Sequence, residues 1–172
     1  MTKQEFAILA SAVRTYYPTA NIMPNEQAME LWFRELQDIP FPVAETSLRK
    51  WVATNKWPPT IADLRESAVE AVQGESPEWG AGWEKVVKSI GMFGLYRTEE
   101  AMESFDEITR QCVQRIGFRN ICLSDNINAD RANFRMIYEQ IAEREKKQSQ
   151  IPEAVKTMIG QAKEQLAIEG KA

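Results

Sequence analysis

Residues 51–64 read Trp-Val-Ala-Thr-Asn-Lys-Trp-Pro-Pro-Thr-Ile-Ala-Asp-Leu, and the two adjacent prolines divide this stretch into two helical halves. Pro58 denies Trp57 the helical conformation, Pro59 repeats the constraint one residue later, and neither ring nitrogen carries a proton to donate. A helix arriving through Trp51 and Val52 must therefore stop here. Thr60 and Asp63 stand at the spacing of a capping box, in which each side chain satisfies a backbone N–H left free at a helix start. A new helix thus begins one residue after the prolines, and two helices meet at a fixed corner. Trp57 sits at that corner, where its favoured role is to plug the angle between the helices. The other reading makes it an exposed anchor for a partner, with Lys56 beside it.

The chain on either side shows helical periodicity throughout. Thr2 and Glu5 form another capping pair, followed by Phe6, Leu9, Val13, Tyr16 and Tyr17 on one face until Pro18 stops the run. Asn25 is a candidate cap for a second helix with Met29, Trp32, Phe33 and Leu36 inward. Pro42 suits the first turn of a third, which carries Ala44, Leu48, Trp51 and Val52. Ile61, Leu64, Ala68 and Val72 line the fourth. Residues 1–73 therefore read as a small N-terminal helical domain of about four helices, and residues 74–78, with Gly74 and Pro77, as a linker.

Residues 79–148 read as a second helical unit. Trp79, Trp83, Val86, Val87 and Ile90 share a face; a short helix runs from Thr98 through Phe105; Ile108, Cys112, Val113 and Ile116 make a further face closed by Gly117. Phe118, Ile121 and Cys122 occupy a brief turn. Asn128 or Asp130 caps the longest helix, with Phe134, Ile137, Tyr138 and Ile141 inward and the charged run 143–147 outward. Residues 149–172 form a C-terminal amphipathic helix or tail after Pro152. Its stripe of Val155, Ile159, Ala162 and Leu166 is thin and lacks aromatics, as expected of a helix seeking a partner surface. No alternation of period two persists, so the fold class is all-α.

The chain has 172 residues, 44% of them apolar, enough to bury a substantial core. Its formal net charge of −4 argues against a protein held to nucleic acid by a dominant basic surface, since phosphate contacts need clustered Lys and Arg. Only the last third is positive, with 8 basic and 7 acidic residues between 128 and 172, and Lys146, Lys147, Lys156 and Lys163 offer at most a weak or indirect nucleic-acid contact. Two cysteines and no histidine exclude the usual zinc sites and the Ser/His and Cys/His nucleophile pairs, and there is no P-loop signature. Carboxylate pairs such as Glu99 with Glu100 sit at helix starts, where the macrodipole favours them without any catalytic role. The expectation is a protein without enzymatic activity, metal or cofactor. No signal-peptide run and no membrane span are expected, which points to a soluble, cytoplasmic protein.

Met1-Thr2-Lys3-Gln4-Glu5-Phe6, the helix ending in Tyr16-Tyr17-Pro18, the Trp32-x-x-Glu35-Leu36-x-Asp38 run and Lys56-Trp57-Pro58-Pro59-Thr60-Ile61-Ala62-Asp63-Leu64 together resemble the N-terminal domain of the phage replicative-helicase loader and inhibitor family, over roughly residues 1–72. Trp79 through Tyr138 is more loosely similar to the C-terminal half of longer phage proteins that carry this domain. The resemblance implies a DNA-replication adaptor that binds a DnaB-type hexameric helicase, inhibits it away from the origin and helps load it through an origin-binding initiator protein. The family assigns helicase contact to its C-terminal part and initiator contact to its N-terminal domain. Carried onto this chain, that makes Val155, Lys156, Ile159, Lys163 and Leu166 candidates for the helicase and Lys56 and Trp57 candidates for the initiator.

The alternative is a helical DNA-binding initiation or regulatory protein using one helical corner as a helix-turn-helix. The corner at Trp57 speaks against it, because Pro58-Pro59 replaces the usual glycine-containing turn and the following helix sets Asp63, Glu66 and Glu70 against a single Arg65. A third reading, an anti-host protein that inhibits the host helicase loader, differs only in its partner.

Overall fold

The computed structural model describes residues 1–74 and 78–169, with side chains described through Leu166. Residues 75–77 of the expected linker and 170–172 of the tail lie outside the described residues. The described chain is all-α, with ten helices and no strand. It divides into two compact units: Met1–Glu75 together with Gln148–Ala172, and Ser76–Lys147.

In the first unit, α1 (Lys3–Tyr16) starts at Thr2 with the expected reciprocal capping box to Glu5. Helix α2 (Glu26–Leu36) is capped by the Asn25 side chain, which accepts from the Ala28 N–H at 2.9 Å. Helix α3 (Phe41–Thr54) takes Pro42 in its first turn, where the missing N–H leaves no bond unmade. Helix α4 (Ile61–Gln73) opens on the Thr60/Asp63 box and ends at Gly74, whose φ of +80° suits a residue without a Cβ. The closest pair is α3 with α4, the two arms of the proline corner, with α1 laid across α3 and α2 against α4. Their common core is built on Phe6, Leu9, Val13, Leu36, Leu48 and Leu64, each 4% exposed or less. Burying such a side chain contributes about 1.5–3 kcal/mol by removing apolar surface from water. Tyr16 and Val72, expected inward, are exposed. Both lie in the last turn of their helices, where the stripe has run past the neighbouring helix.

In the second unit, α5 (Trp79–Phe93), α6 (Thr98–Glu103), α7 (Glu107–Ile116), α8 (Phe118–Leu123) and α9 (Ile127–Gln150) follow in order, α9 continuing beyond Lys147 into the first unit's residues. Phe134 stacks obliquely between Trp83 and Tyr138, with ring centroids 5.3 and 5.5 Å away. The approach is closest at Gly82, where a Cβ would stand 2.8 Å from Tyr138 Cε2. Gly117, at φ +92°, ends α7 and starts α8 within one residue. Three expectations are corrected here. Helix α9 is capped by Asn126, not Asn128 or Asp130: the Asn126 side chain accepts from the Ala129 N–H at 3.1 Å, and the helix begins at Ile127, ahead of both expected caps. Val87 is exposed because the face that buries Val86 turns its neighbour outward by about 100°. Trp79 is half-buried rather than fully inside: it packs against this unit's core, and the guanidiniums of Arg131 and Arg135 lie 5.2 and 5.3 Å from its ring. Trp32 and Trp51 are likewise half-buried, and Trp83 alone of the four is fully inside.

Helix α10 (Glu153–Glu169) belongs to the first unit. Among the described residues, no helix is long and apolar enough to cross a membrane.

Candidate partner-binding surfaces

The proline corner is fixed from three directions. Helix α3 ends at Asn55 in an extended conformation, and the Trp51 indole N–H donates to the Trp57 carbonyl at 2.8 Å, tying the loop back onto the helix it left. The Thr60 N–H donates to Asp63 at 2.8 Å and the Asp63 N–H to the Thr60 hydroxyl at 3.2 Å, so α4 starts without slack. Pro59 is buried, whereas Trp57, expected to plug the angle between the helices, is not. Trp57 instead is 69% exposed, with the Lys56 ammonium 5.4 Å from its ring. A rigid loop therefore presents a large aromatic side chain to solvent at little cost in conformational entropy. That is the property of an interface anchor. Lys50, Asp63, Glu66 and Glu70 line a polar cleft beside it between α3 and α4, where Lys50 pairs with Glu70 at 3.1 Å.

The second candidate set lies on α10. Val155 and Lys156 are half-buried, while Ile159, Lys163 and Leu166 are exposed. Lys156 pairs with Glu153 at 2.6 Å. Val155, Met158 and Ile159 face an open groove whose other wall is Arg34, Glu35 and Gln37 at the end of α2. The two candidate sets thus stand on the same unit, one on the loop between α3 and α4 and the other on α10.

In the sequence Arg65 is the single basic residue on an acidic helix. It is in fact buried, with 9% exposure. Its Nη1 and Nη2 donate to the two carboxylate oxygens of Asp38, each at 2.8 Å, in the parallel fork that guanidinium geometry favours. Nη1 also donates to the Glu35 carbonyl at 2.6 Å, and Nε donates to the carbonyl of Gln150. The bonds from Arg65 hold the Asp38 carboxyl below its ordinary range, against the opposing effect of partial burial. The spacing of Ile61, Leu64, Arg65 and Ala68 would have placed Arg65 on the inner face of α4, since positions i, i+3, i+4 and i+7 lie together. That was the signal the charge count obscured. With Arg65 inside, the surface of α4 presents Asp63, Glu66 and Glu70 and no arginine, which speaks against this helix as a reader of phosphate.

In the second unit the ionisable groups serve the packing. Burial pushes the Cys112 thiol up to about 12, and its Sγ lies 3.4 Å from the Phe134 carbonyl as a weak donor. Burial also raises the Tyr138 hydroxyl. Asp106 is partly buried, which alone would raise it, but bonds from Lys85 and from Thr109 leave its pKa lowered. Among the described residues no group of three or more potential ligands could hold a metal ion.

No curated protein and no solved structure matches the chain. Its first 65 residues, the stretch that runs from the Thr2 cap through the proline corner to Arg65, match the family model of the N-terminal domain of phage gene 39 protein, a loader and inhibitor of a DnaB-type helicase.

Proposed function

We propose that this chain is a DNA-replication adaptor without a catalytic site of its own, which binds a DnaB-type replicative helicase, holds it inactive away from the origin and delivers it through an origin-bound initiator. The observation that carries the reading is the match of residues 1–65 to the N-terminal domain of a helicase loader and inhibitor. The two exposed surfaces suit the two contacts. Trp57, beside Lys56 on its rigid corner, is the contact for the initiator; the α10 stripe, with Ile159 and Leu166 exposed and Lys156 and Lys163 flanking them, is the contact for the helicase. A helix of this kind lays its apolar residues in a groove and its lysines on the rim.

The test is comigration of the purified protein with its cognate hexameric helicase in size-exclusion chromatography, run with ATP and with ADP. A complex in at least one nucleotide state, accompanied by suppressed helicase ATPase, is expected. Separate elution in both states would sink the proposal.

A further inference from the structure

The guanidinium of Arg65 bonds to three stretches of chain: the end of α2 through the Glu35 carbonyl, the loop before α3 through Asp38, and the last residue of α9 through the Gln150 carbonyl. The first two lie within 30 residues of it in sequence; Gln150 is 85 away. Arg65 is thus the bond by which the N-terminal helices hold the point where α10 departs. A cation beside the last carbonyls of a helix is favoured by the helix dipole as well as by the charge-assisted bond.

What Arg65 holds in place is otherwise lightly attached. Ile151, Pro152, Val155 and Lys156 are half-buried, and from Thr157 to Leu166 every residue is exposed. Among the described contacts, the half-buried first turn of α10 and the guanidinium bond at Gln150 hold the helix beside Arg34, Glu35 and Gln37. An element with so little buried surface sits at the low end of local stability, where opening needs no unfolding of the core.

We propose that Arg65 is a latch: it holds α10 docked on the N-terminal helical domain, and release of α10 from that position is a conformational step of this protein. Docking covers Val155, at the start of the apolar stripe, so a partner that reads the whole stripe must displace the helix from α2. Asp38 sets the orientation of Arg65, so a disturbance of the loop between α2 and α3 is transmitted to α10 through one side chain. Only this consequence for partner binding rests on the proposed helicase contact; the latch itself is tested without a partner.

Hydrogen exchange of the full chain, read by mass spectrometry, and limited trypsin cleavage after Lys156 are compared for the wild type, Arg65→Lys and Val155→Asp. Both substitutions should speed exchange across residues 153–166 and cleavage after Lys156 by about tenfold or more, the size expected for losing a charge-assisted bond or a half-buried apolar contact. The amides of α1 and α3 should keep their protection in Val155→Asp. Wild-type rates for α10 in Arg65→Lys or in Val155→Asp, or full exchange of α10 already in the wild type, would overturn the latch. If Arg65→Lys loses the protection of α1 and α3 as well, Val155→Asp decides alone. Where a helicase complex forms, Arg65→Lys should tighten it by a similar factor; absence of any complex refutes the helicase reading and leaves the exchange result standing for the latch.

Discussion

Gly82 and Gly91 lie on the same helix and behave oppositely. A methyl group at Gly82 would stand 2.8 Å from a ring carbon of Tyr138, 3.0 Å from the Thr109 hydroxyl and 3.3 Å from Phe134; at Gly91 it would meet nothing within 4 Å. Gly82→Ala should therefore destabilise by about 1–3 kcal/mol, the cost of forcing atoms into a packed core, despite the better helix propensity of alanine. Gly91→Ala should stabilise by up to about 1 kcal/mol. Urea denaturation of both variants checks the pair, and equal shifts of the same sign would refute the close approach of α5 to α9. The Asp38–Arg65 pair makes a pH prediction. The folded pKa of Asp38 lies below its ordinary 3.8, so its stabilisation is fully present above that value and is lost as pH falls through the lowered folded value. Acid titration of the first unit's helical signal should show this loss, and Asp38→Asn should remove that part of the acid dependence.

Each helix in the first unit has a start that is chemically marked and an end that is marked only where a proline or glycine stands. The Thr2 and Thr60 boxes and the Asn25 cap are read directly from residue type and spacing, because a cap is a bond between neighbours in sequence. The cap of α9 escaped for the converse reason: Asn126, Asn128 and Asp130 all qualify locally, and only the path of the preceding loop selects Asn126. The corner between α3 and α4 shows the same division. Its prolines dictate a break, but which side chain is buried there depends on the packing of two helices, and Pro59 is inside while Trp57 stands in solvent. Trp57→Ala should therefore change the denaturation midpoint negligibly, within about 0.5 kcal/mol, as for other surface positions. If Trp57 anchors the initiator, the same variant should weaken that complex by about 2 kcal/mol or more in a titration with purified initiator. A loss of stability without a loss of affinity would return Trp57 to a structural role.

At the scale of the whole molecule the chain carries two separate hydrophobic cores, one on Phe6, Val13 and Leu48 and the other on Val86, Cys112 and Phe134. Cys112 reports on the second. Its thiol is buried and raised to about 12, so the reactive thiolate is nearly absent at neutral pH, whereas Cys122 is half-buried. A thiol reagent at pH 8 should label Cys122 first and Cys112 only as denaturant unfolds the second unit, with the labelling midpoint matching loss of that unit's helical signal. Rapid labelling of Cys112 in the native protein would contradict the packing described.

The sequence by itself determined the class of elements, most of their starts and the two proline- and glycine-marked breaks, because these depend on bonds and dihedral preferences among residues fewer than five apart. It also carried the family pattern of the N-terminal stretch, which is a matter of residue order. The spacing along α4 already turns Arg65 inward; the tertiary structure alone decided that Asp38 and Gln150 are its partners, that Trp57 is outside, and that the last helix groups with the first four. Each of these depends on groups 27 or more residues apart, or on which of two nearby side chains is buried, and no local preference encodes such a choice.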